Sequence, residues 1–318
     1  MIICKIYKGQ GLGNQLWCMK TAYALSLKKN FECSFIDQSN SFLGHEIFNI
    51  SKKFFKKNVK IKYQYYEKGF FDIHTKCNLY SFDEDILKIE PSTEIIGNFQ
   101  SEKYFFNKQN EIKSFFLLNE KTIKLSDQFS KYNVLNIRGG EYKRHTELLL
   151  PDSYWNHALL QLRHKSDLPF VIVTDDYRYA KKLFPKLEII SNNIQLCFAA
   201  IMGCKNIVLS NSSFSYFPIF YGSKKNIIYA PYQWARFNNP MNIWVSPCNY
   251  YKNWKWINFS GQIVKNKDCE KNILNTINYL QKYDNKIYFT LPKKEINTLK
   301  FFKTIIKKIF GYFNWRFR

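Results

Sequence analysis

The stretch FVIVTDDYRYAKKLFPKLEIISNNIQLCFAAIMGCKNIVLSNSSFSYFPIFYGSKKNIIYA, residues 170–230, alternates short apolar runs with segments of helical length. The runs FVIVT (170–174), LEII (187–190), NIVLS (206–210) and NIIYA (226–230) read as strands. Helices are expected near 176–184, 194–203 and 213–222. Upstream, VLNI (134–137) and a helix near 152–165 continue the pattern, with Asp152 and Asp175 expected as N-caps. Brief apolar strands separated by helices predict a parallel sheet shielded on both faces by its crossovers, a Rossmann-like α/β domain.

The first half opens the same way, with a strand IICKIY (2–7), a glycine loop KGQGLGNQ (8–15) and a helix whose Leu16, Met19, Tyr23 and Leu27 share one face. A strand CSFID (33–37) follows, and then, from 40 to 90, aromatic residues and lysines mix without a period. A strand EIIGN (94–98) and a Ser101-capped helix reaching Leu118 close the half. Two α/β halves joined near 119–132 leave a cleft between the carboxyl ends of two sheets, where open α/β folds hold their ligands. The expected division is an α/β domain over 1–125, a Rossmann-like domain over 126–260 and a helical extension over 261–318.

Composition narrows the function. Of 318 residues 46% are apolar and 18% aromatic, ample for packed cores. The net charge of +23 invites a nucleic-acid reading, but only seven of the 48 basic residues are Arg. The lysines are scattered, with pairs such as Lys28-Lys29, Lys181-Lys182 and Lys224-Lys225 at expected helix ends, where cations complement the macrodipole and face solvent. With no zinc-finger spacing and no RNP-type aromatic motif, the expectation is no nucleic-acid partner. The eight cysteines form no C-x-x-C pair and the five histidines no cluster, so reduced, buried thiols and no metal site are expected.

Three motifs remain. GQGLGN resembles a dinucleotide fingerprint but carries Asn14 at the third glycine position, so it reads either as a tight turn needing Gly11 and Gly13 or as a loop presenting amides to a polar ligand. NIRGGEY places Arg138 at the mouth of a sheet, followed by Gly139 and Gly140. It reads either as an ion pair with Glu141 or as a bidentate grip on an anionic ligand that the glycines let approach. SNSSFSYF (210–217) gathers hydroxyls at a helix start, a capping cluster or a phosphate nest. It converges with Arg138 only if the strands near 134 and 206 are neighbours.

Together the segments GLGNQLW (11–17), GNFQSEKYF (97–105), NIRGGEY (136–142) and SNSSFSYF with IIYAPYQW (227–234), and also VTDD (173–176), resemble the bacterial α-1,2-fucosyltransferases of glycosyltransferase family 11. The similarity spans roughly residues 9–235. It implies a GT-B-like pair of Rossmann-like halves facing across a cleft, with 1–125 on the acceptor side and 126–260 binding the nucleotide sugar, and inverting, metal-independent transfer of L-fucose from GDP-fucose to a galactose-containing surface glycan or its lipid-linked precursor. The family signature H-x-R-R-G-D-Y is altered here, with Asn136 for His, Gly139 for the second Arg and Glu141 for Asp. Arg138 is retained and carries over as the diphosphate ligand. Gly11, Gly13, Asn14, Gln15, Asn136, Asp175, Ser212 and Ser213 complete the implied donor site. Glu147 and Glu141 are the expected bases for the acceptor hydroxyl, and His145 is a third candidate. Transfer of another nucleotide-activated sugar, or a non-catalytic nucleotide-sugar- or glycan-binding module, stands as the alternative.

The start MIICKIYKGQ shows no signal-peptide pattern. In the tail, Leu299, Phe302, Ile305, Ile306, Ile309, Phe310 and Phe313 form one helical arc opposite Lys300, Lys303, Lys307 and Lys308. Residues 296–318 are therefore expected to seat on an anionic inner-leaflet surface, keeping the protein cytoplasmic and peripheral to the membrane.

Overall fold

In the computed structural model the second half of the chain builds one sheet from β5 (Asn133–Ile137), β6 (Phe170–Thr174), β7 (Glu188–Ile190), β8 (Asn206–Val208), β9 (Ile227–Pro231), β10 (Lys255–Ile257) and β11 (Ile263–Val264). The first half supplies β1 (Ile2–Lys5), β2 (Cys33–Ile36), β3 (Tyr63–Tyr66) and β4 (Thr93–Ile96), joined at one edge by β12 (Leu291–Pro292). The structure describes residues 1–67, 70–72, 77–79, 81–145, 147–236, 238–239, 241–281 and 291–292.

The larger sheet runs β7-β6-β5-β8-β9-β10-β11, parallel except for β11. Numbered from β5, this is the order 3-2-1-4-5-6 of a dinucleotide-type sheet with one antiparallel strand added. Its strand order reverses between β5 and β8, whose residues Leu135 and Val208 lie opposite each other. The crossovers are α4 (Asp152–Arg163), α5 (Tyr177–Leu183), α6 (Ile194–Gly203) and α7 (Ser213–Tyr221). They cover both faces, so β5 is buried along its whole length. The smaller sheet runs β12-β3-β4-β1-β2, parallel except for β12, and α1 (Leu12–Lys29) follows β1. The chain is thus two Rossmann-like α/β halves with a cleft at the carboxyl ends of their strands. α8 (Asn266–Gln281) packs on the second half, where Cys269 is buried and the Thr276 hydroxyl accepts from the Trp244 amide.

Several local expectations change. Asp176, not Asp175, caps α5 by accepting from the Tyr179 amide. Asp152 stands in the first turn of α4, where its charge meets the helix dipole, and makes no cap hydrogen bond. The helix expected from Ser101 to Leu118 is broken. Ser101 caps a 3₁₀ turn, Glu102–Phe105, after which Phe106 and Asn107 take positive φ of 48° and 60° and turn the chain. Only then does α2 (Gln109–Phe115) begin, and Leu117–Leu118 pairs with Phe48–Asn49. The linker expected over 119–132 holds α3 (Glu120–Asp127), packed on α6. On α1 the face of Leu16 and Met19 is buried, but Leu27 is exposed in the last turn. Lys225, expected in solvent, is buried with its ammonium on the Met202 carbonyl near the end of α6, and burial lowers its pKa.

The cores respect the two sheets only in part. One apolar cluster joins Ile2, Leu16, Trp17 and Phe105 of the first half to Phe198, Tyr216 and Phe217 of the second. Trp17 stacks on Tyr216 at 4.5 Å between ring centroids. The cysteines at 4, 18, 33, 197, 204 and 269 are free and buried.

Candidate active site

The sheet order places the loops after β5 and β8 side by side, so Arg138 and the Ser210–Ser213 segment do converge. Between them and the start of α1 lies a cavity of about 400 Å³ bordered by Gly13, Asn136, Arg138, Asp175, Asn193 and Ser212, among others. A second cavity of about 300 Å³ touches the first through Asn14, Glu141, Tyr142 and Ser213, and extends under the first half to Glu67 and Gln100.

Arg138 is held from one side. Its Nη1 lies 3.1 Å from Asp175 Oδ2, its Nη2 4.0 Å from Glu141 Oε1, and its guanidinium carbon 5.3 Å from the centre of the Tyr142 ring. The expected ion pair with Glu141 is the weaker contact, since that carboxylate is 73% exposed. Asp175 is the nearer partner, and its other oxygen accepts from the Gly139 amide at 3.0 Å, which locks the loop that carries the arginine. Releasing Asp175 from capping duty is what frees it for this role. The Arg138 Nε is buried and has no hydrogen-bond partner, while about a quarter of the side chain stays exposed and borders the larger cavity.

The glycines divide. A Cβ on Gly140 would lie 2.4 Å from Asp175 Oδ2, and one on Gly139 would lie 2.8 Å from Asp176 and from the Tyr179 ring. Gly139, where the family signature has arginine, is thus set by the approach of α5. Gly13 is also a close approach, but to protein: a Cβ there would sit 2.4 Å from the Ser213 and Phe214 backbone. Gly11 has nothing within 4 Å and an ordinary φ of −66°, so the tight turn that its backbone was expected to require is absent.

Asn14 spans the halves, accepting from the Ser213 hydroxyl at 2.7 Å and from Gln100 Nε2 at 2.9 Å. Gln15 turns inward. Its amide donates to the Gln10 and Ser41 carbonyls and accepts from the Leu43 amide, so it shapes the loops and borders neither cavity. Asn136 borders the larger cavity, yet its Oδ1 accepts from the Ser210 and Ser215 hydroxyls and its Nδ2 donates to the Val173 carbonyl. It fastens the first turn of α7 to β5. Ser212 caps α7 by accepting from the Phe214 amide.

Of the carboxylates proposed from sequence, Glu141 borders both cavities, whereas Glu147 is engaged by Arg236 and borders neither. His145 lies 3.9 Å from Glu147 and is half exposed. Asp176 is bridged by Lys143, whose hydrogen bond holds its pKa below the usual carboxylate value. Sequence reading missed Glu67, because it lies in the stretch without a period, and Arg236, which lies beyond the last matching segment. Among the described residues no three His, Cys, Asp or Glu side chains gather as a metal-holding group.

No protein-family model matches the chain, and no curated protein sequence matches it. Solved structures do. The α-1,6-fucosyltransferase NodZ soaked with GDP-fucose is 10% identical over 70% of this chain and 92% of its own, with a TM-score of 0.41. NodZ from Bradyrhizobium is 11% identical over 70% and 92%, with a TM-score of 0.40. POFUT1 in complex with GDP is 11% identical over 72% and 97%, with a TM-score of 0.43. Likeness at this level concerns the backbone alone.

Proposed function

We propose that the chain is an inverting, metal-independent glycosyltransferase that transfers L-fucose from GDP-fucose to a galactose-containing glycan through an α-1,2 linkage. The observation that carries this reading is the pairing of β5 with β8, which sets Arg138 beside the start of α7 on one wall of a cleft. The four-segment resemblance to family 11 supports fucose and the linkage. A donor diphosphate fits against the Arg138 fork and the amide end of α7, where a helix dipole and charge-assisted hydrogen bonds both favour an anion. As the sugar–phosphate bond breaks, negative charge grows on the leaving diphosphate, and these fixed donors stabilise it without reorganising. The nucleoside extends along Thr174, Asn192 and Asn193, which border the same cavity. The acceptor enters through the smaller cavity on the side of the first half and attacks the face of the sugar opposite the diphosphate.

A panel of nucleotide sugars with galactosides, assayed for nucleotide release in EDTA, tests the reading. GDP release with GDP-fucose alone among the donors is the expected outcome. Release that depends on added Mn²⁺ or Mg²⁺, or preference for a UDP-sugar, would overturn it.

A further inference from the structure

We propose that Glu67, on the first half of the chain, is the general base that takes the proton from the acceptor hydroxyl, an assignment that rests on the sugar-transfer reading above. Glu67 directly follows β3, is 7% exposed and borders the smaller cavity. Its Oε2 accepts from the Asn98 amide at 2.7 Å and the Phe99 amide at 2.9 Å. The loop that supplies both donors is the GNFQ segment, for which the donor cavity gives no reason. Gly97 is needed there, because a Cβ would lie 2.4 Å from Glu67 Cβ and 2.7 Å from its Oε2. One residue beyond Phe99, Gln100 donates to Asn14, and Asn14 accepts from Ser213 at the start of α7. The cradle of Glu67 is therefore tied by two hydrogen bonds to the wall that would hold the leaving group.

Position fits the displacement. Arg138 borders only the larger cavity and Glu67 only the smaller, and the two cavities meet at Asn14, Glu141, Tyr142 and Ser213. A sugar at that junction would have the leaving-group clamp on one side and the carboxylate on the other. Burial pushes the Glu67 carboxyl up to about 7; the Phe99 and Asn98 amides and the Tyr104 hydroxyl act against this, while Asp83 reinforces it. Tyr65 and Cys18 feel the same charge and are held protonated mainly by their own burial, Cys18 at about 12. Glu141 and Arg236 line the same cavity. A base poised near neutrality gives efficient proton transfer at physiological pH.

In the step itself, Glu67 removes the hydroxyl proton while the acceptor oxygen bonds to the anomeric carbon. The bond from that carbon to the diphosphate oxygen breaks, and its electron pair leaves with the nucleoside diphosphate. The proton on Glu67 passes to water once the product departs.

Glu67→Gln keeps an acceptor for both loop amides and removes only the base. The expected result is GDP affinity within twofold of wild type by calorimetry, an unchanged melting temperature, and turnover lower by about 10² to 10⁴. The wild-type rate should rise with pH through about 7, and the variant should lose that limb. Glu67→Asp, which retains a carboxylate, should keep the limb at reduced rate. If the glutamine variant keeps more than a tenth of wild-type turnover, retains the limb, or is less impaired than the same change at Glu141 or Glu147, Glu67 is not the base. That result in an active wild type sinks this assignment alone, whereas a wild-type chain inert toward every nucleotide sugar sinks the transfer reading together with it.

Discussion

Arg138 keeps about a quarter of its side chain in water, and its one close partner, Asp175, lies at 3.1 Å and is itself fixed to the loop backbone. Such a cation is positioned without being fully neutralised, which suits a group awaiting an anion. Arg138→Ala should cost on the order of 2 to 5 kcal/mol of transition-state stabilisation, and Arg138→Lys should also impair turnover, since it keeps the charge but loses the fork. A variant that melts early while its folded fraction turns over normally would instead mark the arginine as structural. Lys20 is the contrary case. It is completely buried among Phe48, Phe116, Phe217, Phe220 and Tyr221, with its ammonium 4.2 Å from the centre of the Phe116 ring and hydrogen-bonded to the Tyr221 hydroxyl. Burial, aided by Lys113, lowers its pKa well below the ordinary value. The folded protein then binds fewer protons than the unfolded chain at pH values between the folded and unfolded pKa, so this group makes stability rise with pH across that window. Lys20→Met should raise stability at pH 7 by on the order of 1 to 4 kcal/mol, as apolar replacements of buried charges can. It should also flatten the increase of stability with pH below the ordinary lysine pKa in urea titrations; a loss of stability would mean that the aromatic box depends on the lysine.

The strands from β5 to β9 and the helices between them were legible in the sequence because each strand lies in a short apolar run bounded by polar turns, whereas β10 and β11, at three and two residues, were not expected. Observed limits such as Phe170–Thr174 and Ile194–Gly203 match the pattern to the residue. The stretch from 40 to 90 was not legible, for a physical reason. Its described elements are two to five residues long and their side chains pack into aromatic clusters, as Phe48 does on Phe198 and Phe54 on Phe115, so tertiary contacts rather than local period set them. Glu67 was hidden for the same reason. The convergence of Arg138 with Ser212 and Ser213 depended on strand order, a long-range property that no window of sequence contains. The meeting of α1 and α7 is another such property, and it can be tested. Gly13→Ala sets a methyl group against the Ser213 and Phe214 backbone, which cannot rotate away as a side chain could. It should destabilise by about 1 to 3 kcal/mol in urea titration. Gly11→Ala, with open space around it, should stay within about 1 kcal/mol of wild type, its main loss being a poorer N-cap. Equal effects at the two glycines would show that the helices can part at little cost.

Two features concern the chain as a whole. No described helix is long and apolar enough to cross a membrane. The amphipathic tail at 296–318 lies outside the described residues, and we propose it as a contact with an anionic leaflet on its sequence pattern alone. Deleting it should abolish sedimentation with phosphatidylserine vesicles and spare turnover on a soluble acceptor; equal sedimentation would remove the proposal. The second feature is the shared core. If the halves were independent, a division near residue 125 would leave each with its own apolar interior, yet Phe198, Met202, Tyr216 and Phe217 belong to the cluster built on Trp17, Phe105 and Ile112. β12, from the C-terminal region, also pairs with β3 of the first sheet. Separating the halves would expose the Trp17–Tyr216 stack and the cluster around Lys20 to water, at a cost that grows with each aromatic face uncovered. The intact protein should therefore unfold in one calorimetric transition whose van't Hoff and calorimetric enthalpies agree, and a fragment of residues 1–125 should lack a cooperative melt. Two resolved transitions, or a fragment that melts cooperatively, would show that the α1–α7 contact is a docked interface between independent domains rather than a common core.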